Sequence, residues 1–315
     1  MSPNPTVVAC PLHHLLTLED MPHATLNALL VRAAKLRPQA LGLIERQPLR
    51  GHTVVNLFFE ASTRTRSSFQ LAAVRLGADV LNFEAAHSST RKGESLLDTL
   101  RNLEAMGAGL FVVRHAESGA VAELARCAAR TTSIINAGDG RNAHPTQGLL
   151  DMLTIRQHKG EDFSRLTIAL VGDLRHSRVA RSDLHALRTL GAGEIRVAAP
   201  PALLPEPHQL AGTRVCHDLD AALDGADVVM MLRLQRERME EGLVASLEDY
   251  HRDWGLSRAR LGRAKPNAIV MHPGPMNRGV EIDDEVADGP QSVILQQVSN
   301  GVAVRMAVLE TLAGK

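Results

Sequence analysis

The segment EASTRTR at residues 60–66 packs three hydroxyl side chains and two guanidiniums into the five positions from Ser62 to Arg66. It follows an apolar, β-branched run and leads into a helical pattern that starts near Thr65, so it reads as a strand-to-helix turn. A helix N-terminus offers unpaired backbone N–H groups and the positive end of a dipole, and Ser62, Thr63 and Thr65 add hydroxyl donors around that point. Arg64 adds a forked, charge-assisted pair of bonds. Together these groups can hold a phosphate without a glycine-rich loop. Arg64 and Arg66 are two apart and point in different directions on a helix, so Arg64 is assigned to the ligand and Arg66 to packing or domain contacts. The competing reading makes Ser62 a helix cap and leaves the arginines on a solvated face. Placement directly after a buried strand favours the anion site.

Other polar clusters share that placement. Arg114-His115 follows the run GLFVV, AHPTQ (143–147) follows a Gly-Asp-Gly turn, and HSSTRKGE (87–94) is a loop between a strand and a helix. Later, DLRHSR (173–178) follows TIALVG, RLQRER (233–238) follows a run ending at Leu232, and HPGP (272–275) follows Met271. Each alone is weak. A histidine before proline is more often a cap or a hydrogen-bonded core residue, RLQRER reads as the start of a surface helix, and HPGP as a turn. Their recurrence beyond strand ends counts for more, because open parallel sheets bind ligands beyond the carboxyl ends of their strands. Only Gly172 stands where a dinucleotide fold needs G-x-G-x-x-G, which disfavours a nucleotide there.

The elements that must carry these clusters alternate regularly. Strands are expected at 53–59, 79–83, 109–114 and 133–136, then again at 167–172, 194–198, 213–216, 227–232 and 268–271. Phe69, Ala72, Ala73 and Leu76, closed by Gly77, mark one crossover helix; Leu96, Leu100 and Leu103 mark another. The pattern predicts an α/β fold of two parallel-sheet domains joined by interdomain helices. Pro145 opens a helix with Leu149, Leu150, Leu153 and Ile155 inward, and the junction is placed on it: a first domain at 1–147 and a second at 148–291. The stretch 292–312 reads as one long helix packing back on the first domain, to which 292–315 are assigned. Pro200, Pro201, Pro205 and Pro207 predict a rigid loop, and 233–263 a long charged insertion.

Composition narrows the classes. The 315 residues are 44% hydrophobic and 22% charged, which excludes disordered and fibrous chains and suffices for two cores. Thirty-five basic residues balance thirty-five acidic ones, so no global field draws the chain to nucleic acid or to an anionic membrane, and any anion site must be local. Cys10, Cys127 and Cys216 are too scattered for a disulfide framework or a structural zinc site, which fits a reducing cytoplasm. The first twenty residues lack the basic-then-apolar order of a signal peptide, and no membrane-spanning run is expected.

Taken together and in this order, STRTR, KGE, RH, HPTQ, GD followed by Ser-Arg, RLQRER and HPGP resemble the aspartate carbamoyltransferases over nearly the whole chain. The resemblance implies that Ser62, Thr63, Arg64 and Thr65 hold the phosphate of carbamoyl phosphate, and that Arg114, His144 and Gln147 bind its carbonyl and amide. It implies that Arg178, Arg233 and Gln235 pair the two carboxylates of L-aspartate, with backbone at Gly274 and Pro275 on the amine side. Ser88 and Lys92 match the family's loop that reaches into a neighbouring subunit's site, which implies a homotrimer with shared sites; Lys92 would touch both substrates. Arg64, Thr65, Lys92, Arg114 and His144 form the implied catalytic set.

The implied product is N-carbamoyl-L-aspartate, in a committed step of de novo pyrimidine biosynthesis. No cofactor or metal is called for, because carbamoyl phosphate is already activated and needs only an aligned amine, a polarised carbonyl and a neutralised leaving group. Two departures stand out. Some members carry a bulkier aliphatic residue at the position of Gly274, and MNRGVEI (276–282) follows one branch only. That branch includes enzymes assembled with a dihydroorotase or dihydroorotase-like chain, an expected partner on this resemblance. An ornithine carbamoyltransferase is the nearest alternative, but its substrate's ammonium calls for carboxylates and a thiol-bearing strand end, where this chain has Arg233, Gln235 and a cysteine-free HPGP. A catalytically silent anion-binding scaffold is the other alternative; nothing expected for turnover is missing from the sequence.

Overall fold

The computed structural model describes residues 12–42, 45–84, 94–235 and 246–314. The chain divides into two compact units, Met1–Leu149 with Ser299–Lys315, and Leu150–Val298.

In the first unit four parallel strands, β1 (Thr53–Phe58), β2 (Asp79–Glu84), β3 (Leu110–His115) and β4 (Ser133–Asp139), lie in the order β2-β1-β3-β4. Val54, Val55 and Leu57, Phe111 to Val113, and Ile134 and Ile135 are all buried, the continuous apolar reading of strands covered on both faces. The crossovers are α2 (Thr63–Arg75), α3 (Leu96–Ala105) and α4 (Ala120–Cys127), and α5 (Pro145–Lys159) follows β4. Phe69, Ala72 and Ala73 of α2 and Leu76 at its C-cap are fully buried, and Leu100 is buried on α3, as the spacing predicts. The helix α1 (His23–Ala40) lies outside the elements expected from the sequence. Its buried Leu26, Leu29, Leu30, Ala33 and Leu36 have helical spacing, but half-buried Val31 and an internal Pro38 blur the pattern.

The second unit repeats the architecture with β5 (Thr167–Val171), β6 (Glu194–Ala198), β7 (Arg214–Cys216), β8 (Val228–Met231) and β9 (Ile269–Met271), ordered β7-β6-β5-β8-β9 and again parallel. Helix α6 (Arg178–Thr189) follows β5 and α7 (Leu219–Leu223) follows β7. The proline-rich loop forms two short 3-10 turns, Pro201–Leu203 and Pro207–Leu210. The charged insertion is less irregular than its composition implies, because its described part contains α8 (Leu247–Trp254) and α9 (Arg258–Leu261), each capped by a serine hydroxyl. The short α10 (Asp284–Ala287) precedes the last helix, α11 (Ile294–Ala313).

The unit boundaries fall inside α5, between Leu149 and Leu150, and inside α11, between Val298 and Ser299. The later turns of α11 pack on the first unit: the Arg305 guanidinium lies 5.0 Å from the Phe69 ring centroid, and Glu310 pairs with Arg32 of α1. Its first turn belongs to the second unit, where the Gln297 side chain donates to Asp151 at 2.7 Å.

Both strand orders reverse once. In the first sheet β1 is followed by β2 on one side and by β3 on the other; in the second, β5 is followed by β6 on one side and by β8 on the other. The loops leaving two such neighbouring strands diverge and leave room for a ligand, so each sheet offers one binding position, beyond β1/β3 and beyond β5/β8.

Candidate active site

At the first position, Phe58 of β1 stands level with Arg114 of β3, and the Phe59 N–H donates to the Arg114 carbonyl at 2.8 Å. The chain then turns into α2, which begins two residues earlier than the pattern suggests, at Thr63. Ser62 occupies the N-cap position with extended backbone, yet its side chain makes no capping hydrogen bond. Capping by Ser62 is therefore a matter of position only. Thr63 and Arg64 are exposed, Arg66 is half-buried, and Thr65 is buried. Arg114 is buried, and its guanidinium is aimed by two acceptors within the unit: Nη1 donates to the Ala137 carbonyl at 3.1 Å and Nη2 to Glu60 Oε1 at 3.0 Å. Glu60 opens the EASTRTR string, but sequence reasoning gave it no role; its only signal was its position at the strand end.

The third polar element arrives through the turn after β4. Asp139 accepts from the Gly119 N–H at 2.9 Å and from Asn142 Nδ2 at 3.2 Å, while its own N–H donates to the Ala143 carbonyl at 3.1 Å. This closed turn delivers His144, whose carbonyl accepts the Gln147 N–H at 2.9 Å in the first turn of α5. His144 and Gln147 are both buried. Ser62 to Thr65, Arg114, and His144 with Gln147 thus stand at or just beyond the carboxyl ends of the adjacent strands β1, β3 and β4. Ser88 and Lys92 lie outside the described residues.

At the second position, Arg178 is the first residue of α6 and is buried; Ser177 caps that helix, its Oγ accepting the Ala180 N–H at 3.1 Å. Arg233 and Gln235, both half-buried, follow β8. The two loops are tied by fully buried Asp173, which accepts the His176 N–H at 3.1 Å and the Gln235 N–H at 3.3 Å and lies 2.9 Å from His176 Nδ1. Burial pushes the Asp173 carboxyl above its usual range, an effect opposed by the neighbouring His176. Asp173 and His176 were visible in the DLRHSR string, but nothing in the string showed that they brace a loop sixty residues away. Gly172 has φ +124°, and a Cβ there would come within 2.6 Å of the Leu232 carbonyl, so this glycine serves the close approach of β5 to β8.

Gly274 and Pro275 follow β9, the neighbour of β8. Gly274 has φ +61°, a conformation that favours glycine. Among the described residues no three or more His, Cys, Asp and Glu side chains are grouped to hold a metal ion, and no helix is long and apolar enough to cross a membrane. Hydroxyls, backbone N–H groups and the guanidiniums of Arg64 and Arg114 gather at the carboxyl end of the first sheet, a donor set that suits an anion, and two further arginines stand at the end of the second.

Known proteins give this geometry a context. A family model described as "Aspartate/ornithine carbamoyltransferase, carbamoyl-P binding domain" matches residues 13–157, and one described as "Aspartate/ornithine carbamoyltransferase, Asp/Orn binding domain" matches 164–312. The chain is 68% identical over 304 residues to an aspartate carbamoyltransferase catalytic subunit of Xanthomonas campestris, covering 96% of each chain. It is 67% identical to the corresponding subunit of Stenotrophomonas maltophilia, again covering 96% of each. Among solved structures, the aspartate transcarbamoylase of Trypanosoma cruzi in complex with carbamoyl phosphate and aspartate superposes with a TM-score of 0.86 at 34% identity, covering 97% of this chain and 98% of that one. The ornithine carbamoyltransferase of Thermus thermophilus reaches a TM-score of 0.84 at 27% identity, covering 96% and 99%. The chain belongs to the aspartate/ornithine carbamoyltransferase family.

Proposed function

We propose that the protein transfers the carbamoyl group of carbamoyl phosphate to the amine of L-aspartate, giving N-carbamoyl-L-aspartate and phosphate for pyrimidine biosynthesis. The observation that carries the choice of amino acid is the set of residues beyond β5, β8 and β9: Arg178, Arg233 and Gln235, with no cysteine in HPGP. Two guanidiniums suit two carboxylates, whereas an ornithine ammonium would meet like charge. The identity to aspartate carbamoyltransferase subunits points the same way.

In the reaction the phosphate rests on Ser62, Thr63, Arg64 and Thr65, and Arg114, His144 and Thr65 polarise the carbonyl while Gln147 holds the amide. The aspartate nitrogen attacks the carbonyl carbon, the carbon–oxygen bond to phosphate breaks, and phosphate leaves with the electron pair. The leaving phosphate or solvent takes the amine proton. Glu60 and the Ala137 carbonyl fix the Arg114 guanidinium before substrate arrives, which lowers the reorganisation needed in the transition state.

The functional unit is a homotrimer in which Ser88 and Lys92 of one subunit complete the site of the next. Exposed apolar side chains on the first unit, Leu71 and Val74 of α2 and Leu81 of the edge strand β2, support a covered face there. The MNRGVEI stretch supports a dihydroorotase or dihydroorotase-like chain as a further partner, and the scattered cysteines a cytoplasmic location. A colorimetric assay for carbamoyl-aspartate, run beside one for citrulline, tests the reaction: product with aspartate alone is expected, citrulline would move the chain to the ornithine enzymes, and product in neither would favour a silent scaffold. Light scattering at three times the 34.0 kDa chain mass tests the trimer.

A further inference from the structure

Glu281, the glutamate of the MNRGVEI stretch, is fully buried in the second unit and has no role in the reaction described above. A buried carboxyl is costly unless its oxygens are satisfied, and here both are. Oε1 accepts the Asn277 N–H at 2.6 Å and faces His272 Nε2 at 3.1 Å; Oε2 accepts from Asn277 Nδ2 at 3.2 Å. His272 is held at three points: its Nδ1 accepts the Gly274 N–H at 2.8 Å, its main-chain N–H donates to Gln297 Oε1 at 2.9 Å, and its Nε2 meets Glu281. Because Nδ1 accepts, the ring hydrogen sits on Nε2 and points at Glu281. Asn277 Nδ2 also donates to the Leu234 carbonyl at 3.3 Å, and Leu234 lies between Arg233 and Gln235. One carboxyl therefore clasps both ends of the 272–277 turn, which contains Gly274 and Pro275, and through Asn277 reaches the loop that carries Arg233 and Gln235.

We propose that Glu281 is a positioning residue for amino-acid binding, presetting the HPGP turn and the Arg233–Gln235 loop relative to each other through His272 and Asn277. The inference rests on the reading that these two loops receive aspartate. Glutamine at position 281 keeps the size but turns one acceptor into an NH2 group, which must face either His272 Nε2–H or the Asn277 donors. With one clasp arm opposed, Glu281→Gln should raise the KM for aspartate about tenfold while the KM for carbamoyl phosphate stays within about twofold. Asn277→Ser, which keeps the main-chain bond to Glu281 and removes the side-chain bonds to Glu281 Oε2 and to the Leu234 carbonyl, should move the aspartate KM the same way by a smaller factor.

Steady-state kinetics with each substrate varied in turn, on variants whose melting temperatures are measured, provides the test. A selective rise in aspartate KM in folded Glu281→Gln, or in folded Asn277→Ser where the glutamine variant does not fold, supports the inference. Unchanged aspartate KM in folded Glu281→Gln overturns it, as does an equal change for both substrates; if that variant does not fold, an unchanged aspartate KM in Asn277→Ser overturns it. A wild-type protein that makes no carbamoyl-aspartate would instead remove the underlying reading, an outcome distinct from active wild type with unshifted variants.

Discussion

The proposed anion position at the end of the first sheet and the proposed amino-acid position at the end of the second are built in opposite ways. The first draws four donors from one contiguous string, Ser62 to Thr65, and adds Arg114 from the neighbouring strand. The second collects Arg178, Arg233, Gln235 and Gly274 from three loops and holds them with buried polar residues, Asp173, His176, His272 and Glu281. A phosphate can be met by a helix N-terminus, a ready-made local device. A dicarboxylate amino acid needs guanidiniums at set separations, which only tertiary bracing supplies. Substitutions in the first position should therefore remove contacts, whereas many in the second should disturb geometry.

The largest effect should come from the arginines of the first position. Arg64→Ala and Arg114→Ala each delete a charge-assisted contact of about 2–3 kcal/mol, on the order of 30- to 150-fold in kcat/KM, measured by carbamoyl-aspartate formation. Near-normal turnover in either would break the assignment. His144→Ala should be milder, since one neutral hydrogen bond is about 1 kcal/mol.

For the second position, Asp173→Asn keeps the shape but places an amide NH2 among the His176 and Gln235 donors. The KM for aspartate should rise roughly tenfold with little change for carbamoyl phosphate, because the loss is one of loop placement. Equal shifts for both substrates would erase the contrast between the two positions.

Two serines at helix starts sharpen the contrast further. Ser177 makes a capping bond and Ser62 does not. Ser177→Ala should cost about 1 kcal/mol of stability, visible as a lower melting temperature. Ser62→Ala should leave the melting temperature in place and raise the KM for carbamoyl phosphate by up to about tenfold. If Ser62→Ala instead destabilises the fold without touching that KM, the hydroxyl is a cap after all.

The smallest effect concerns stability alone. Asp183 of α6 is buried beside Asp151, and burial first, then the neighbouring carboxylate, pushes its carboxyl well above the ordinary value of 3.8. The folded state therefore keeps a proton that the unfolded chain releases, so this contribution is present below that ordinary value and is lost as pH rises through the folded one. Asp183→Asn removes the titration, so its melting temperature relative to the parent should rise as pH is raised from the ordinary carboxylate value toward neutrality, read by thermal melts across that range. A relative melting temperature that falls with pH would reverse the sign.

The sequence disclosed the strands well and the bracing poorly. All nine expected strands are present, with ends differing by no more than three residues, because continuous apolar runs bounded by turn residues have few other solutions in an α/β chain. The helix start at the STRTR string was legible too, within two residues, because a run of hydroxyl residues between a strand and an apolar helical pattern is a local signal. Glu60, Asp173 and Glu281 were not, because each acts on a residue brought near by folding, and a lone acidic residue near a strand end has no distinguishing pattern. The missed α1 is the comparable case among elements, where Pro38 and half-buried Val31 mask a good apolar face.

The central claim is that the two positions receive the two ends of the reacting pair, the phosphate group at the first and the carboxylates at the second. A crystal structure of the protein with N-(phosphonacetyl)-L-aspartate tests it most directly. The account predicts the phosphonate on Ser62 to Thr65 with Arg114 near the adjoining carbonyl, and the carboxylates on Arg178, Arg233 and Gln235. A bound molecule that leaves the STRTR turn or the arginines of the second sheet untouched would contradict it.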